Sequence, residues 1–554
     1  MTEAPEHGPG SVTPAPGHVT RQEERLLEQL SPFELKTKLL DLAAAAGSSN
    51  HRALLDAGRG NPNWVATTPR EAFFLLGTFA IAESRLVWDE TDLGGTPQST
   101  GIAQRLAGFL AERRDEPGAD LLERVVTYGA ALGFDPDLWV HELASGVIGD
   151  HYPGPDRMSI YAEQIVREYL IAEMCDDVEP KSTLDLFAVE GGTAAMCYVF
   201  ESLTLNHLLR RGDRVALIVP AFTPYLEIPR LDHYGFDVVE IHASAVDSTG
   251  APTWQCPDEE IDKLADPNVK ALFVVNPSNP PSVMLSRATV ARIAAIVAGP
   301  NPDLIVVTDD VYSTFVPGFR SLLADLPDNV IGIYSFSKYF GCTGWRLGVV
   351  AIHRQNILDR RLAGLPPDDK ADLRRRYSRL SIDPESIRFI DRMVADSRQV
   401  ALNHTAGLSL PQQVQMTLFA AFALLDSDDR YKTRTQAIVN RRLANLYRGM
   451  GIPLPADPLR AGYYAEIDLM DWARSRYGTA FVDWLGDTYE PIDPVFRLAE
   501  QTSIVLLSGG GFDGPMWSVR VSLANLQDEA YLEIGRCLLH IFNEYVNEYQ
   551  AAQG

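Results

Sequence analysis

Through the middle of the chain, short apolar runs alternate with segments of helical spacing. The runs are VALIVPA (215–221), ALFVVNP (271–277), LIVVTDD (304–310), VIGIYSFS (330–337) and LGVVAIH (347–353). Each is apolar throughout rather than at every second position, as strands covered on both faces are, and the strand–helix–strand alternation predicts a mainly parallel sheet. Ligands of such sheets bind beyond the carboxyl ends of the strands. Those ends carry polar or otherwise distinctive residues, so chemistry is expected at Phe222, Asn276, Asp309 and residues 335–338.

On the N-terminal side, residues 23–46 carry leucines at helical spacing and predict a helical arm. GRGNPNWVATTP (58–69) breaks it, and residues 70–170 are mostly helical apart from the loop DHYPGPDR (150–157). After position 353 the chain turns charged (DDKADLRRRYSRL), which predicts a solvated or intersubunit helical excursion to about 403. Strands of a second unit are expected around 462–467, 503–507 and 518–523. The fold class is therefore α/β: a large domain around a mainly parallel sheet, a smaller α+β domain and helical insertions. The expected division is a disordered tail (1–20), an arm that also forms part of the small domain (21–64), the large domain (65–409) and the small C-terminal domain (410–554).

Composition narrows the partners. With 49 basic against 74 acidic residues the formal charge is -25, which argues against nucleic acid or an anionic membrane. An anionic substrate must then be drawn in by a few local arginines. The five cysteines are widely separated, with no metal-like spacing, and read as reduced thiols of a cytoplasmic protein; no metal site is expected. The first residues have neither the basic start nor the apolar core of a signal peptide, and no apolar run approaches a membrane span of about 18–20 residues.

The strongest local signal is SFSKYFGCTGWRLG (335–348). Lys338 can form a Schiff base with an aldehyde, while Ser335, Ser337 and Arg346 can hold a dianion. The spacing resembles the fold-type-I pyridoxal 5′-phosphate (PLP) enzymes, the aminotransferase superfamily, and four further features stand in that family's order. EGGTAAM (190–196) resembles its phosphate-binding turn into a helix, at Gly192 and Thr193. Phe222 in VPAFTPY takes the place of the ring that stacks on the pyridine. Asn276 in VVNPSNPP resembles the asparagine that bonds the phenolic oxygen. In TDDVY, Asp309 resembles the partner of the pyridine nitrogen and Tyr312 the phenol near O3′. In the second unit, Arg520 in WSVRVSLAN resembles the grip on a substrate α-carboxylate, a role for which bidentate geometry favours arginine. Tyr152 resembles the tyrosine that reaches a neighbouring subunit's phosphate.

Four longer strings, SPFELK (31–36), AGRGNPNWVATTPREAFF (57–74), HYPGPDRM (151–158) and NHTAGLSLPQQVQM (403–416), resemble the aspartate 4-decarboxylase family. That resemblance implies conversion of L-aspartate to L-alanine and CO2 via a ketimine. It also implies side aspartate aminotransferase activity, in which 2-oxoglutarate becomes glutamate and aspartate becomes oxaloacetate. It makes L-aspartate and 2-oxo acids the partners and a homodimer the building block of a larger homo-oligomer. Within it, Arg59 is the candidate for the distal carboxylate, with Lys36 assisting. A pure aspartate or aromatic-type aminotransferase is the first alternative, and a catalytically inactive PLP-binding regulator the second.

Overall fold

The computed structural model describes residues 19–50, 53–176, 183–248, 250–398 and 407–553. Of the expected tail, residues 1–18 lie outside the described residues, as do 403–406 of the last family-like string.

The central sheet has seven strands, numbered here along the chain: β1 (Leu184–Val189), β2 (Arg214–Val219), β3 (Asp237–His242), β4 (Val269–Val275), β5 (Ile305–Asp309), β6 (Val330–Ser335) and β7 (Gly348–His353). Their spatial order is β1-β7-β6-β5-β4-β2-β3. Strands β6, β5, β4, β2 and β3 run parallel, and β7 is antiparallel to both of its neighbours, so the sheet is mainly parallel as expected. The five predicted apolar runs are β2, β4, β5, β6 and β7. Strands β1 and β3 escaped the pattern for separate reasons. The apolar run of β1 is interrupted by Asp185, which is 1% exposed and ion-paired with Arg157, Arg354 and Arg388. Strand β3 is an edge strand with only Ile241 buried, so it needs no continuous apolar run.

Two hydrophobic cores divide the molecule. The larger surrounds the seven-stranded sheet and the helices Thr67–Val87, Pro136–Ile148 and Ile160–Met174. The smaller gathers Leu35, Leu39, Ala43 and Ala57 with residues of a three-stranded antiparallel sheet, β8 (Tyr464–Asp468), β9 (Leu507–Ser508) and β10 (Ser518–Ser522), in the order β8-β10-β9. The expected boundary at 410 shifts. Helix Leu410–Leu424 is buried in the larger core, and the change of core falls within helix Arg430–Met450, whose Val439 joins the larger core and whose Leu443, Leu446 and Met450 join the smaller.

The charged excursion after 353 is less solvated than its composition suggested. Asp396, 2% exposed, accepts hydrogen bonds from Ser202 Oγ (2.8 Å), Asn206 Nδ2 (2.9 Å), Tyr377 Oη (2.9 Å) and Arg376 Nη2 (2.8 Å). This network ties helices Pro367–Tyr377 and Phe389–Arg398 to helix Gly192–Leu205, the one that opens at the candidate site. A buried carboxylate is tolerable only when paired and hydrogen-bonded, and here it is both.

Among the described residues no helix is long and apolar enough to cross a membrane, and no cluster of metal-ligating side chains occurs. None of the five cysteines forms a disulfide.

Candidate active site

A cavity of about 240 Å³ opens at the carboxyl ends of β4, β5 and β6. Its lining comes from the strand ends, from the start of helix Gly192–Leu205 and from Tyr464 and Arg520 of the three-stranded sheet. Of the residues singled out from sequence, Gly192, Thr193, Phe222, Asp309, Tyr312, Ser335, Ser337, Lys338, Arg346 and Arg520 line it together.

Asp309 ends β5, 5% exposed. Its Oδ2 accepts from the Tyr225 hydroxyl at 2.5 Å and its Oδ1 from the Val311 amide at 3.2 Å. Burial pushes its carboxyl up to about 6, against the opposing pull of those two donors and of Lys338. Lys338 follows β6 and donates from Nζ to the Gly60 carbonyl at 3.1 Å, an oxygen that also accepts from Tyr463 Oη at 2.9 Å.

The opposite end of the cavity is made of hydroxyls, amides and a guanidinium. Helix Gly192–Leu205 starts after Gly191, whose φ of 92° suits glycine. A Cβ on Gly191 would stand 2.3 Å from Arg346 Nη2, so the missing side chain is what lets the guanidinium lie against the helix start. Arg346 donates to the carbonyls of Glu190 (3.2 Å) and Thr343 (2.9 Å), and Ser335 Oγ donates to Ser337 Oγ at 3.0 Å. Gly192 keeps the floor open: a Cβ there would point at Asp309 Oδ2 (3.6 Å) and Ser335 Cβ (3.7 Å). Phe222 is held edge-on between Phe33 and Tyr225, with centroids 6.1 and 5.6 Å away.

Arg520, in the middle of β10, is 1% exposed. It donates from Nη1 to Asn279 Oδ1 (3.2 Å) and from Nη2 to the Gly58 carbonyl (3.0 Å), and its Nε has no hydrogen-bond partner. Its guanidinium lies over the rings of Tyr464 (4.5 Å) and Phe512 (4.8 Å). Among the described residues no carboxylate stands within ion-pair distance of it. Glu466, its neighbour across the β8–β10 ladder, is held by Ser518, and burial pushes its carboxyl up to about 7 against the pull of Ser518 and Arg520. A buried guanidinium left unneutralised in a cavity wall is a ready site for a ligand carboxylate.

Three expectations change. Asn276 does not line the cavity; its Oδ1 accepts the Leu285 amide at 2.9 Å and shapes the turn. The asparagine that faces the cavity is Asn279, which donates from Nδ2 to Tyr312 Oη at 3.3 Å besides accepting from Arg520. Both asparagines precede a proline in NPSNPP, so local sequence offers nothing to choose between them. Arg59 and Lys36 turn to Asp56 instead of the cavity, at 3.7 and 3.0 Å from its Oδ2, and the Arg59 side chain is 63% exposed. Acidic Asp56, close to both cations, is the nearer partner. Tyr152, expected to reach a neighbouring subunit rather than this chain's own cavity, is 70% exposed on its loop and lies outside the lining here.

Sequence reasoning missed Tyr225, Asn279, Thr343 and Tyr464, as well as Phe33 and Gly60. The signal for Tyr225 was present in VPAFTPY, one helical turn past Phe222; Tyr464, in GYY, had none that set it apart from core.

PLP fits these residues. An ionisable carboxylate stands on the floor for the ring nitrogen and an amine on the wall for the aldehyde, and the amide, hydroxyl and guanidinium donors gather for the phosphate. Gly192 leaves vacant the volume that a side chain would fill above Asp309.

Comparison with known proteins gives the same picture. The family model described as aminotransferase class I and II matches residues 188–533. A Pseudomonas sp protein, a bifunctional aspartate aminotransferase and L-aspartate beta-decarboxylase, is 49% identical over 530 residues, covering 95% of this chain and 98% of that one. The aspartate aminotransferase from Thermus thermophilus with maleate superposes with a TM-score of 0.57 at 16% identity, over 94% of this chain and 99% of its own. The aromatic aminotransferase from Pyrococcus horikoshii OT3 does so with a TM-score of 0.54 at 18% identity, over 89% and 96%. At those identities the two structures speak to the fold.

Proposed function

The chain belongs to the family of class I and II aminotransferases, and from that premise we propose that it is a PLP enzyme that removes the β-carboxylate of L-aspartate, giving L-alanine and CO2. Aspartate transamination, with 2-oxo acids such as 2-oxoglutarate as acceptors, is its second activity. The near full-length identity to the Pseudomonas protein supports this choice of reactions over transamination alone. One structural observation carries the reading: Arg520, buried and without a carboxylate partner among the described residues, faces the same cavity as Lys338 and Asp309.

When bound, the cofactor supplies an electron sink for charge that develops at Cα and Cβ of the substrate. Lys338 Nζ is the covalent anchor for the aldehyde and, once released, the base that takes the proton from Cα. Asp309, as carboxylate, holds a proton on the ring nitrogen, and Tyr225 and the Val311 amide keep it oriented. The amides of Gly192 and Thr193 with Ser335, Ser337 and Arg346 hold the phosphate. Arg520 takes the α-carboxylate in a bidentate grip, with Asn279 orienting the guanidinium. The rings of Tyr464 and Phe512 against the buried Arg520 lower the local dielectric and strengthen its contact with a carboxylate.

The exposure of Tyr152 supports its action at the site of a second copy, and hence a homodimer as the unit of any larger assembly. Five cysteines without a disulfide suit a reducing cytoplasm.

The test is incubation with L-aspartate and PLP while CO2, alanine and oxaloacetate are followed together, with Lys338→Ala as control. CO2 and alanine in equal amounts, absent in the variant, support the decarboxylase; oxaloacetate without CO2 leaves an aminotransferase.

A further inference from the structure

Loss of the β-carboxylate creates a demand that transamination does not: a proton must be delivered to Cβ. Lys338 serves as the base at Cα, so a second group in the cavity must act as this acid. Ser335, Ser337 and Thr343 stand with Arg346 at the phosphate end. The Tyr225 hydroxyl is committed to Asp309. Two phenols remain on the side of Lys338 and Arg520, Tyr312 and Tyr464, and they are linked, Tyr312 Oη donating to Tyr464 Oη at 3.3 Å.

Of these two, Tyr464 is the one placed against both the amine and the guanidinium. A single point, the position a Cβ on Gly60 would take, lies 2.6 Å from Tyr464 Oη and 3.2 Å from Lys338 Nζ. The hydroxyl and the amine therefore flank the same gap, which Gly60 leaves open. The Tyr464 ring lies under Arg520, where the substrate α-carboxylate binds. Tyr464 thus adjoins both the amine that faces Cα and the guanidinium that takes the α-carboxylate, and is the phenol within reach of a substrate held between them.

Resting on the decarboxylase reading, we propose that Tyr464 is the acid that protonates Cβ. The bond between Cβ and the carboxylate carbon breaks, CO2 leaves, and the electron pair remains on Cβ. That pair takes the Tyr464 hydroxyl proton, so a Cβ–H bond forms as the O–H bond breaks. The phenolate left behind recovers one proton from water, the one proton the net reaction consumes. The surroundings favour the phenolate: burial opposes ionisation of Tyr464, but Lys338, Arg520 and the Tyr312 hydroxyl outweigh it and bring its pKa below the ordinary phenol value.

Tyr464→Phe in the holoenzyme is the first test. Alanine formation from L-aspartate falls about 10²-fold, as for loss of a general acid, while oxaloacetate release and the KM for aspartate stay within a few-fold. A second readout needs no cofactor. In an ultraviolet difference titration of the protein freed of PLP, one phenol ionises ahead of the others, and that phase is missing in Y464F. A fluorotyrosine in place of Tyr464 keeps the shape, lowers the phenol pKa and moves the alkaline limb of alanine formation to lower pH. Alanine formation at the unsubstituted rate in Y464F, equal loss of alanine and oxaloacetate, persistence of the early phenol phase, or an unmoved limb overturns the assignment. Absence of CO2 from the unsubstituted protein overturns the decarboxylase reading and this inference with it; normal CO2 there, with a normal Y464F, overturns the inference alone.

Discussion

The Tyr225 hydroxyl donates to Asp309 Oδ2 at 2.5 Å, and both groups are buried. A neutral donor, rather than a cation, thus orients the carboxylate that meets the ring nitrogen, and burial pushes that carboxyl up to about 6 while Tyr225 pulls it down. Asp309 holds a protonated ring only as carboxylate, so cofactor affinity is present above that pKa and is lost as pH falls through about 6. In Tyr225→Phe the loss begins at higher pH. A hydrogen bond to a charged group contributes about 1.5–3 kcal/mol, so the PLP Kd near neutral pH rises roughly ten- to hundredfold. Absorbance titrations with PLP across acidic to neutral pH check both the size and the direction.

The two asparagines of NPSNPP separate by assay. Asn279→Ala, at the cavity, lowers kcat/KM about tenfold or more and leaves the thermal midpoint nearly unchanged. Asn276→Ala strands the buried Leu285 amide, which costs about 1–3 kcal/mol and lowers the midpoint. Thermal unfolding beside steady-state kinetics decides, and the reverse pattern would return the functional role to Asn276.

Arg520→Lys keeps the charge but not the fork. With the substrate carboxylate gripped at one point instead of two, kcat/KM for aspartate falls about 10²-fold, mostly through KM. Steady-state kinetics read this directly, and an unchanged KM removes Arg520 from the α-carboxylate.

Glu24 lies buried on the N-terminal helix Arg21–Leu27. It is 2% exposed, and burial, with Asp493 and Glu490 close by, pushes its carboxyl up to about 9. The folded chain therefore holds a proton there that the unfolded chain releases above the usual carboxylate range. Stability falls as pH rises from about 5 towards 9, because over that window the folded state binds more protons. Glu24→Gln removes this contribution, leaving those of Asp309 and Glu466 below about pH 7, and at pH near 8 its thermal midpoint lies about 2–4 °C above that of the unsubstituted protein. Thermal unfolding at two pH values tests the sign.

Legibility in the sequence followed locality. Strands β2, β4, β5, β6 and β7 were readable because a strand covered on both faces has no polar position to break the run. Strand β1 was hidden by Asp185, whose charge is neutralised by three arginines, two of them from after β7. The charged excursion misled for the same reason, since the partners of Asp396 that mark it as buried include Ser202 and Asn206, far away in the chain. At the site, Lys338 and Asp309 are strand-end residues whose place depends on their own strand alone. Arg59 sits in an irregular segment and Lys36 on helix Pro32–Asn50, and for both the nearest acid, Asp56, decided the outcome.

The sequence by itself determined the parallel core, the amine after β6, the carboxylate at the end of β5 and the glycine turn into helix Gly192–Leu205, because each follows from a run of side chains and the residue that ends it. Only the tertiary structure decided that Asn279 faces the cavity rather than Asn276, that Tyr225 holds Asp309, and that Gly60, Tyr464 and Arg520 meet Lys338. Those contacts join segments from 84 to 278 residues apart, and which side chains converge there is set by how two cores pack around one cavity, a relation that no local pattern encodes.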